Sequence, residues 1–294
     1  MISFEYLLRA AHWFFFTPES PLPVALVRIS LSTLIFIDTI LAWNNSEEWY
    51  GPNGIVSALT FARDFSHSRF SFYRFLPPRQ IYVHIHLAFQ LLFAMMLAIG
   101  LFSHVSALAL FLLVISSQHR NPYIIYGADL VTRTMLFLLI FSQAGQILSL
   151  DSFIRWGTIA RQNLQCPSWC NRLMQIQIVI IYFKSLLWKL RGQIWRNGEA
   201  VSYVLGNAKL VRHNASFSVG LGATAKMLTW IFLGVEGVLL PGLLIRQTRI
   251  YAVLAAILLH VTLDSVMTLH FFGVTMIVSL LIWLPPDQLQ AFIK

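Results

Sequence analysis

The chain has 294 residues, of which 57% are hydrophobic and 11% are charged, and its formal net charge is +9. Soluble domains usually carry about 25% charged residues, so this composition excludes an ordinary soluble domain and indicates an integral membrane protein. Lys and Arg residues in loops anchor a membrane protein at anionic headgroups. We therefore expect the lipid bilayer, and not nucleic acid, to be the partner of the excess cations.

Residues 3–16 form the first predicted element, an amphipathic helix that lies in the membrane interface. Glu5, Arg9 and His12 lie largely off its apolar face, and the proline-containing segment 17–23 ends it. The apolar face comprises Phe4, Leu7, Leu8, Ala11, Phe14 and Phe15.

Eight apolar segments follow, and each is a candidate membrane span because about 20 helical residues cross a ~30 Å hydrocarbon core. The segments are residues 23–43, 81–102, 105–118, 124–148, 174–190, 221–245, 250–269 and 271–284. Long apolar runs without strict alternation favour helices over strands. The sequence therefore predicts an all-α, polytopic bundle of about eight transmembrane helices in the cell membrane. Residues 1–20 would be interfacial, residues 21–285 the bundle, and residues 1–294 a single domain.

A predicted loop over residues 44–80 separates the first two spans. Its Gly-Pro-Asn-Gly sequence at residues 51–54 is typical of a turn. We expect the arginines of this loop to face lipid headgroups. They are Arg63, Arg69, Arg74 and Arg79.

Ionisable residues within or at the ends of the apolar segments are too numerous to face lipid. They are Arg28, Asp38, His84, His86, Asp129, Arg133, Lys184, Lys189, Glu236, His260, Asp264 and His270. One charge at the bilayer centre costs roughly 2.5–3.5 kcal/mol on insertion scales. We therefore expect these side chains to point into the bundle, either paired or around a wet cavity.

Two pairs among them have i,i+4 spacing, which places both partners on one helix face. Asp129 and Arg133 would form either the polar wall of a site or a structural ion pair. His260 and Asp264 would form either a catalytic pair, in which the carboxylate fixes the imidazole tautomer, or a clip between helices. The sequence leaves both alternatives open for both pairs.

The histidines and cysteines do not predict a metal site. His84 and His86 are about 200° apart on a helix, and no HxxxH or HExxH spacing is present. Cys166 and Cys170 have CxxxC spacing in a predicted loop, which differs from the CxxC of redox and zinc motifs. They are a disulfide candidate in an oxidising compartment and free thiols in the cytosol.

Lys189 lies near the end of the apolar segment 174–190, which also carries Lys184 on a different helix face. A lysine removed from water loses basicity and can serve as a neutral base. The alternative is a side chain that snorkels to the interface, where Trp195 is also suited to lie. Spacing alone does not decide between these interpretations.

Two polar stretches carry a family resemblance. Residues 120–133, RNPYIIYGADLVTR, contain an Asn-Pro, then Gly-x-Asp, then an Arg four residues on. Residues 177–198, QIVIIYFKSLLWKLRGQIWRNG, follow a Tyr-Phe, Lys-Leu, Trp, Gly order. With weaker matches at residues 49–57, Asp151, His260 and Phe272, the chain resembles the "horizontally transferred transmembrane" (HTTM) family over residues 20–285. This membrane domain is shared with vitamin K-dependent γ-carboxylases.

The resemblance implies a membrane-embedded lysine that deprotonates reduced vitamin K. Oxygen then converts the quinol into a strong base that removes a proton from a peptide glutamate, to which carbon dioxide adds. Lys189 occupies the position of that lysine, and a reduced quinone would be the cofactor. The residues implied are Lys189 and His260 as catalytic groups and Asn121, Asp129, Arg133, Trp195 and Asp264 as substrate-binding groups.

Two departures from the carboxylases shape the functional hypotheses. Pro122 stands where the carboxylases have a histidine, and the chain ends soon after its last predicted span, without their large extramembrane domain. The first hypothesis is a carboxylase-like lyase or peptide-modifying enzyme that acts on a quinol, a lipid or a membrane-presented peptide. The alternative is a non-catalytic factor that matures or exports a small secreted peptide, as in the branch resembling sporulation-delaying protein B.

Overall fold

The computed structural model describes residues 4–161, 163–212 and 222–291, and its regular structure is predominantly α-helical. The α-helices are α1 Phe4–Phe16, α2 Leu22–Trp43, α3 Ser46–Tyr50, α4 Ala58–Thr60, α5 Gln80–Ile99, α6 Ser103–Arg120, α7 Gly127–Phe141, α8 Leu150–Trp156, α9 Trp169–Arg191, α10 Gln193–Arg196, α11 Ala200–Leu205, α12 Gly222–Leu244, α13 Arg249–Val266, α14 Phe272–Leu280 and α15 Pro286–Ala291. Two short strands, β1 Pro18–Glu19 and β2 Cys166–Pro167, pair in antiparallel register. The all-α prediction is confirmed.

Each of the eight predicted apolar segments contains a helix. Five described helices, α2, α5, α9, α12 and α13, are long and apolar enough to cross a membrane. The other three segments contain α6, α7 and α14, and the apolar stretch of α14 continues to Trp283 through a 3-10 turn. The last two turns of α6 carry Ser116, Ser117 and Gln118, and its 18 residues are less apolar than the most apolar 18-residue stretch of each of the five.

The chain forms two compact units, residues 1–172 with 290–294 and residues 173–289. In the first unit, α2 packs against α5, α5 against α6, and α6 against α7. In the second unit, α12 packs against α11 and α13, and α13 packs against α14. The prediction of a single domain over residues 1–294 stays a prediction.

The first unit begins with α1, which is apolar and exposed over most of its length, in agreement with the predicted N-terminal helix. Leu7, Leu8 and Trp13 are among its exposed side chains. Its C-terminal end is held by Arg172, whose guanidinium donates to the Phe14 carbonyl and pairs with a carboxylate that follows α1. An interfacial position for α1 stays a prediction.

The fourth apolar segment, 124–148, is shorter as a helix than its sequence predicts. Helix α7 ends at Phe141, and residues 142–149 turn back through a 3-10 helix. Ser142 explains the end, because its hydroxyl donates to the Leu139 carbonyl at 3.0 Å and accepts from the Ala144 amide at 3.3 Å. Such local bonds compete with the helical ladder.

The predicted loop over residues 44–80 is also more ordered than expected. It contains α3, α4, a π-helical turn Phe61–Phe65 and a 3-10 turn Phe72–Arg74. The Ser57 hydroxyl accepts from the Thr60 amide at 3.1 Å and so caps α4. The position of the segment's arginines at lipid headgroups stays a prediction.

Arg28 lies completely buried in the first unit and bonds three backbone carbonyls. Its Nη1 donates to Leu97 at 2.7 Å and Ala98 at 3.0 Å, and its Nη2 donates to Leu148 at 2.6 Å. Carbonyls at a helix C-terminus lack partners within the helix and favour a nearby cation. Arg28 therefore joins α2 to the end of α5 and to the segment before α8. Gly100, which ends α5 with φ +71°, leaves room for this guanidinium because any Cβ there would meet it.

Asp151, in the first turn of α8, caps a different helix. Its carboxylate accepts from the backbone amides of Phe102 and Ser103, each at 2.8 Å, and from the Ser103 hydroxyl at 2.7 Å. The amides at the start of a helix have no intrahelical acceptor, so Asp151 supplies one for α6.

We predict that Asp151→Ala lowers the free energy of unfolding by about 1–2 kcal/mol, the usual cost of losing a helix cap. The measurement is chemical unfolding of the detergent-solubilised protein. Asp64→Ala is the matched control, because Asp64 bonds its exposed neighbour Arg63 and no helix end. An equal loss in both variants would contradict the capping role.

Candidate functional site

The second unit contains four polar side chains from helices that are long and apolar enough to cross a membrane. We name them the Lys189 cluster: Tyr182, Lys189, Glu236 and His260. Lys189 Nζ of α9 donates to Glu236 Oε2 of α12 at 2.5 Å. The Glu236 side chain is 4% exposed and the Lys189 side chain 29% exposed. Lys189 is therefore paired with a buried carboxylate and is itself only partly buried.

Trp195 completes the surroundings of the lysine. Its ring centroid lies 5.0 Å from Lys189 Nζ, within the range of a cation–π interaction. Gly192 makes the turn between α9 and α10, with its amide donating to the carbonyls of Trp188 and Lys189. The structure therefore brings Lys189 and Trp195 together, and a substrate-binding role for Trp195 stays a prediction.

His260 of α13 bonds a tyrosine of α9. Its Nε2 lies 2.9 Å from Tyr182 Oη, and Phe272 packs edge-on against the imidazole with ring centroids 6.0 Å apart. Lys189 also acts electrostatically on His260, and Glu236 acts on Tyr182, so the cluster is one interacting group. His260 Nδ1 is buried and has no hydrogen-bond partner within the described part of the chain.

The expected pairing of His260 with Asp264 is not formed. Asp264 instead accepts a hydrogen bond from the Gly273 backbone amide, and its Oδ1 is buried without a partner among the described residues. Gly273 permits this approach because any Cβ there would overlap the carboxylate. Tyr182 takes the place of the carboxylate as the partner of the imidazole.

Tyr182 and Glu236 belong to the cluster although neither was predicted as a site residue. A signal for Tyr182 existed in its spacing, because it precedes Lys189 by seven residues and therefore lies on the same face of α9. The sequence predicts that Glu236 is either paired or beside a wet cavity, but its position does not identify a partner.

In the first unit, Asn121 is completely buried, and its side chain makes hydrogen bonds to the backbone around it. Its Nδ2 donates to the Trp49 carbonyl at 3.0 Å, and its Oδ1 accepts from the Tyr123 amide at 3.2 Å. The amide therefore fixes the turn between α6 and α7 onto the segment after α3. Both of its polar atoms are already engaged, and a substrate-binding role stays a prediction.

Asp129 and Arg133 have separate partners, and no ion pair joins them within 4 Å in the described structure. Asp129 accepts from Gln118 Nε2 and from the Tyr126 amide, each at 2.9 Å, so its carboxylate caps the start of α7. Arg133 Nη1 donates to His119 Nε2 at 3.1 Å. Asp129 and Arg133 still attract each other electrostatically, but they make no direct contact because capping competes for the carboxylate.

The histidines of α5 also have separate partners, as their spacing predicts. His84 stacks on Trp43, with ring centroids 5.3 Å apart, whereas His86 Nε2 bonds the Leu113 carbonyl and Ser117 hydroxyl. Within the described residues, no group of three or more His, Cys, Asp or Glu side chains has an arrangement that could hold a metal ion.

The two cysteines are free thiols in the structure. Cys166 lies half-buried in β2, whereas Cys170 is buried in the first turn of α9 and so is not in a loop. Burial raises the pKa of the Cys166 thiol, although Arg161 opposes this effect. Less thiolate is therefore available at neutral pH.

The sequence profile of the HTTM domain matches residues 16–288, nearly the whole chain. The protein belongs to the HTTM family. This match confirms the family indicated by the ordered motifs around Asn121 and Lys189. No curated protein and no solved structure matches the chain.

For this HTTM protein we predict an asymmetric response at the ion pair. Lys189→Met should lower the free energy of unfolding by about 3 kcal/mol, since it strands a buried carboxylate, and Glu236→Leu should cost less because Lys189 can reach the surface. The double variant Lys189→Met/Glu236→Leu should recover most of the free energy of unfolding that Lys189→Met loses. Unfolding in mixed micelles measures this cycle.

The control for the cycle is the exposed pair Glu5–Arg9 of α1, in which the closest atoms are 3.9 Å apart. A coupling energy at Lys189–Glu236 no larger than that of the control pair would contradict the structural pairing.

We also predict that Cys166 of the HTTM protein reacts slowly with a maleimide at pH 7 and that the rate rises continuously up to pH 9 and beyond. The reason is that the thiolate is the nucleophile and burial raises the pKa of this thiol. Mass spectrometry of a Cys170→Ser variant measures the rate. The double variant Cys166→Ser/Cys170→Ser should fold normally, and its failure to accumulate would reveal a structural need for the thiols.

Proposed function

We propose that the protein is a multi-pass enzyme of the cell membrane that uses Lys189 as a base toward a membrane-borne weak acid. The observation that carries this proposal is the direct contact of Lys189 with the buried Glu236 carboxylate, 2.5 Å from nitrogen to oxygen. A lysine amine and a carboxylate that can exchange a proton thus lie in direct contact between two apolar helices.

The contact explains how a lysine in an ion pair can become a base. Two separate charges are costly in a low-dielectric interior. A shift of one proton from Nζ to Glu236 removes both charges and gives an uncharged amine beside an uncharged carboxylic acid. The amine lone pair can then accept the proton of a substrate hydroxyl. The O–H electron pair stays on the substrate oxygen, and the new ammonium lies beside that oxyanion.

The surroundings of the cluster favour a substrate that arrives through lipid. The outer surface of α9 exposes Phe183 and Trp188, and Lys189 itself reaches the surface of its unit. A quinol, a lipid or a membrane-presented peptide meets this condition, and the resemblance to γ-carboxylases favours a quinol. A reduced quinone such as vitamin K would supply an acidic hydroxyl group.

The residues present fit such a group in two respects. Buried His260 Nδ1 and Asp264 Oδ1 both lack partners within the described residues, so polar atoms are available for its oxygen atoms. Trp195 and Phe272 provide aromatic surfaces beside the lysine and the histidine. Lys189 would act as the base. The residues that would position the substrate are His260, Asp264, Trp195 and Phe272.

The proposal stops at proton abstraction. Pro122 replaces the carboxylase histidine, and the Asn121 amide already bonds Trp49 and Tyr123. Carboxylase-like lyase or peptide-modifying chemistry is the reaction class that the resemblance implies, and its later steps need groups beyond the Lys189 cluster.

A second candidate is a non-catalytic factor that matures or exports a small secreted peptide, alone or with a partner protein. The same ion pair favours it, because Lys189 and Glu236 neutralise each other and hold α9 against α12. In that case the charge of residue 189 would matter and its ability to lose a proton would not.

Arginine separates these candidates, since it keeps the charge and cannot act as a base. We predict that Lys189→Arg and Lys189→Ala both lower activity at least about 100-fold while the protein still inserts and accumulates. The assay follows the oxygen-dependent consumption of reduced vitamin K by the protein in lipid nanodiscs, corrected for empty nanodiscs.

Lys184→Ala is the matched control, because Lys184 is an exposed lysine five residues earlier on the same helix. It should retain wild-type activity. Wild-type activity of Lys189→Arg would refute the base and leave the structural role. Wild-type protein that consumes no quinol above the empty nanodiscs would refute a quinol substrate.

A further inference from the structure

A second site lies in the first unit, apart from every residue used in the proposed chemistry. It is a cavity of about 250 Å³ between the segment that follows α3, the first turn of α5 and the last residue of α6. We name it the Arg120 pocket. Its lining includes Tyr50, Phe61, Tyr73, Arg79 and Arg120, and no Asp or Glu side chain lines it.

Arg120 is the buried cation of this pocket, with only 2% of its surface exposed. Its Nη2 donates to the Gly51 carbonyl at 2.7 Å, and its guanidinium lies 5.3 Å from the Phe61 ring centroid. These contacts fix the plane of the group. Its Nη1 is also buried but has no hydrogen-bond partner within the described structure. A fixed guanidinium with a free donor is suited to bind an oxyanion.

Tyr73 supplies a second free donor on the same cavity. Its hydroxyl is buried and lacks a partner among the residues the structure describes. Burial raises the pKa of Tyr73 well above its usual range, so the hydroxyl keeps its proton at neutral pH. Buried polar groups nearly always have a partner, and two orphaned donors on one small cavity indicate a ligand that accepts hydrogen bonds.

The charges around the pocket also favour an anion. Arg74 and Arg79 line it in addition to Arg120, and within the described residues none of the three forms an ion pair with a carboxylate. Asp38 and Asp129 act electrostatically on Tyr50, at one side of the pocket. Three arginines line the pocket, whereas the two carboxylates lie outside its lining. The charge at the pocket surface is therefore positive.

We propose that the Arg120 pocket binds a phosphate group. Arg120 Nη1 and Tyr73 Oη would donate to its oxygen atoms, and Arg79 would add charge at the rim. The volume is below the roughly 300–1,000 Å³ of pockets that enclose whole drug-sized molecules, so it suits a single compact anionic group. That group can come from a lipid headgroup or from a soluble phosphate ester.

The two sources are distinguished by thermal unfolding of the full-length protein in dodecyl maltoside. One titration adds phosphatidic acid, a second adds glycerol 3-phosphate, and a third adds diacylglycerol as the lipid without phosphate. If phosphatidic acid stabilises the protein at a concentration at least about tenfold lower than the concentration of glycerol 3-phosphate that is needed, the phosphate belongs to a lipid headgroup. Equal potency identifies a soluble ester.

Tyr73→Phe tests the pocket itself, because this hydroxyl has no partner in the protein and its loss should leave the unliganded fold intact. We expect the variant to bind the stabilising phosphate compound about tenfold more weakly, the usual effect of losing a hydrogen bond to a charged group. Arg79→Gln should also weaken binding. Tyr123→Phe is the matched control, because Tyr123 is an exposed tyrosine outside the pocket and should bind as wild type.

Two results would overturn the proposal. One is the absence of stabilisation by either phosphate compound beyond that of diacylglycerol. The other is wild-type affinity in both Tyr73→Phe and Arg79→Gln, which would assign the effect to another surface.

Discussion

Every polar group in an apolar helix of this protein must find its partner within the protein, and the architecture depends on this constraint. Each unsatisfied group in hydrocarbon costs several kcal/mol. Arg28 meets the constraint with three carbonyls beyond its own helix, at Leu97, Ala98 and Leu148. Lys189 meets it with the Glu236 carboxylate. In both cases the polar contact determines which helices lie together, whereas apolar surfaces alone could pack in many ways.

The same constraint makes the exceptions informative. Eight buried side-chain atoms in the described structure lack partners, and four of them lie at two places that can receive a ligand. His260 Nδ1 and Asp264 Oδ1 accompany the Lys189 cluster, and Arg120 Nη1 and Tyr73 Oη line the cavity of the other unit. At these two places an external ligand can supply the missing partners.

Sequence reasoning located helices well and side-chain partners poorly. The i,i+4 spacing of Asp129 and Arg133 established that they could meet, yet the carboxylate caps α7 through the Tyr126 amide. Likewise His260 bonds Tyr182 and not Asp264. Spacing defines which groups are within reach on one helix, but it carries no information on competing donors from the backbone or from other helices.

The sequence by itself determined the membrane environment, the all-α class, the eight helical segments and the family, because hydropathy and ordered motifs are local properties of the chain. Only the tertiary structure decided that Lys189 pairs with Glu236, 47 residues away, and that Arg120 bonds Gly51, 69 residues away. It also showed that Tyr182 joins the cluster and that a pocket forms in a segment expected to be a loop. These contacts depend on which helices pack together, and that choice is made by the whole chain as it buries its polar groups.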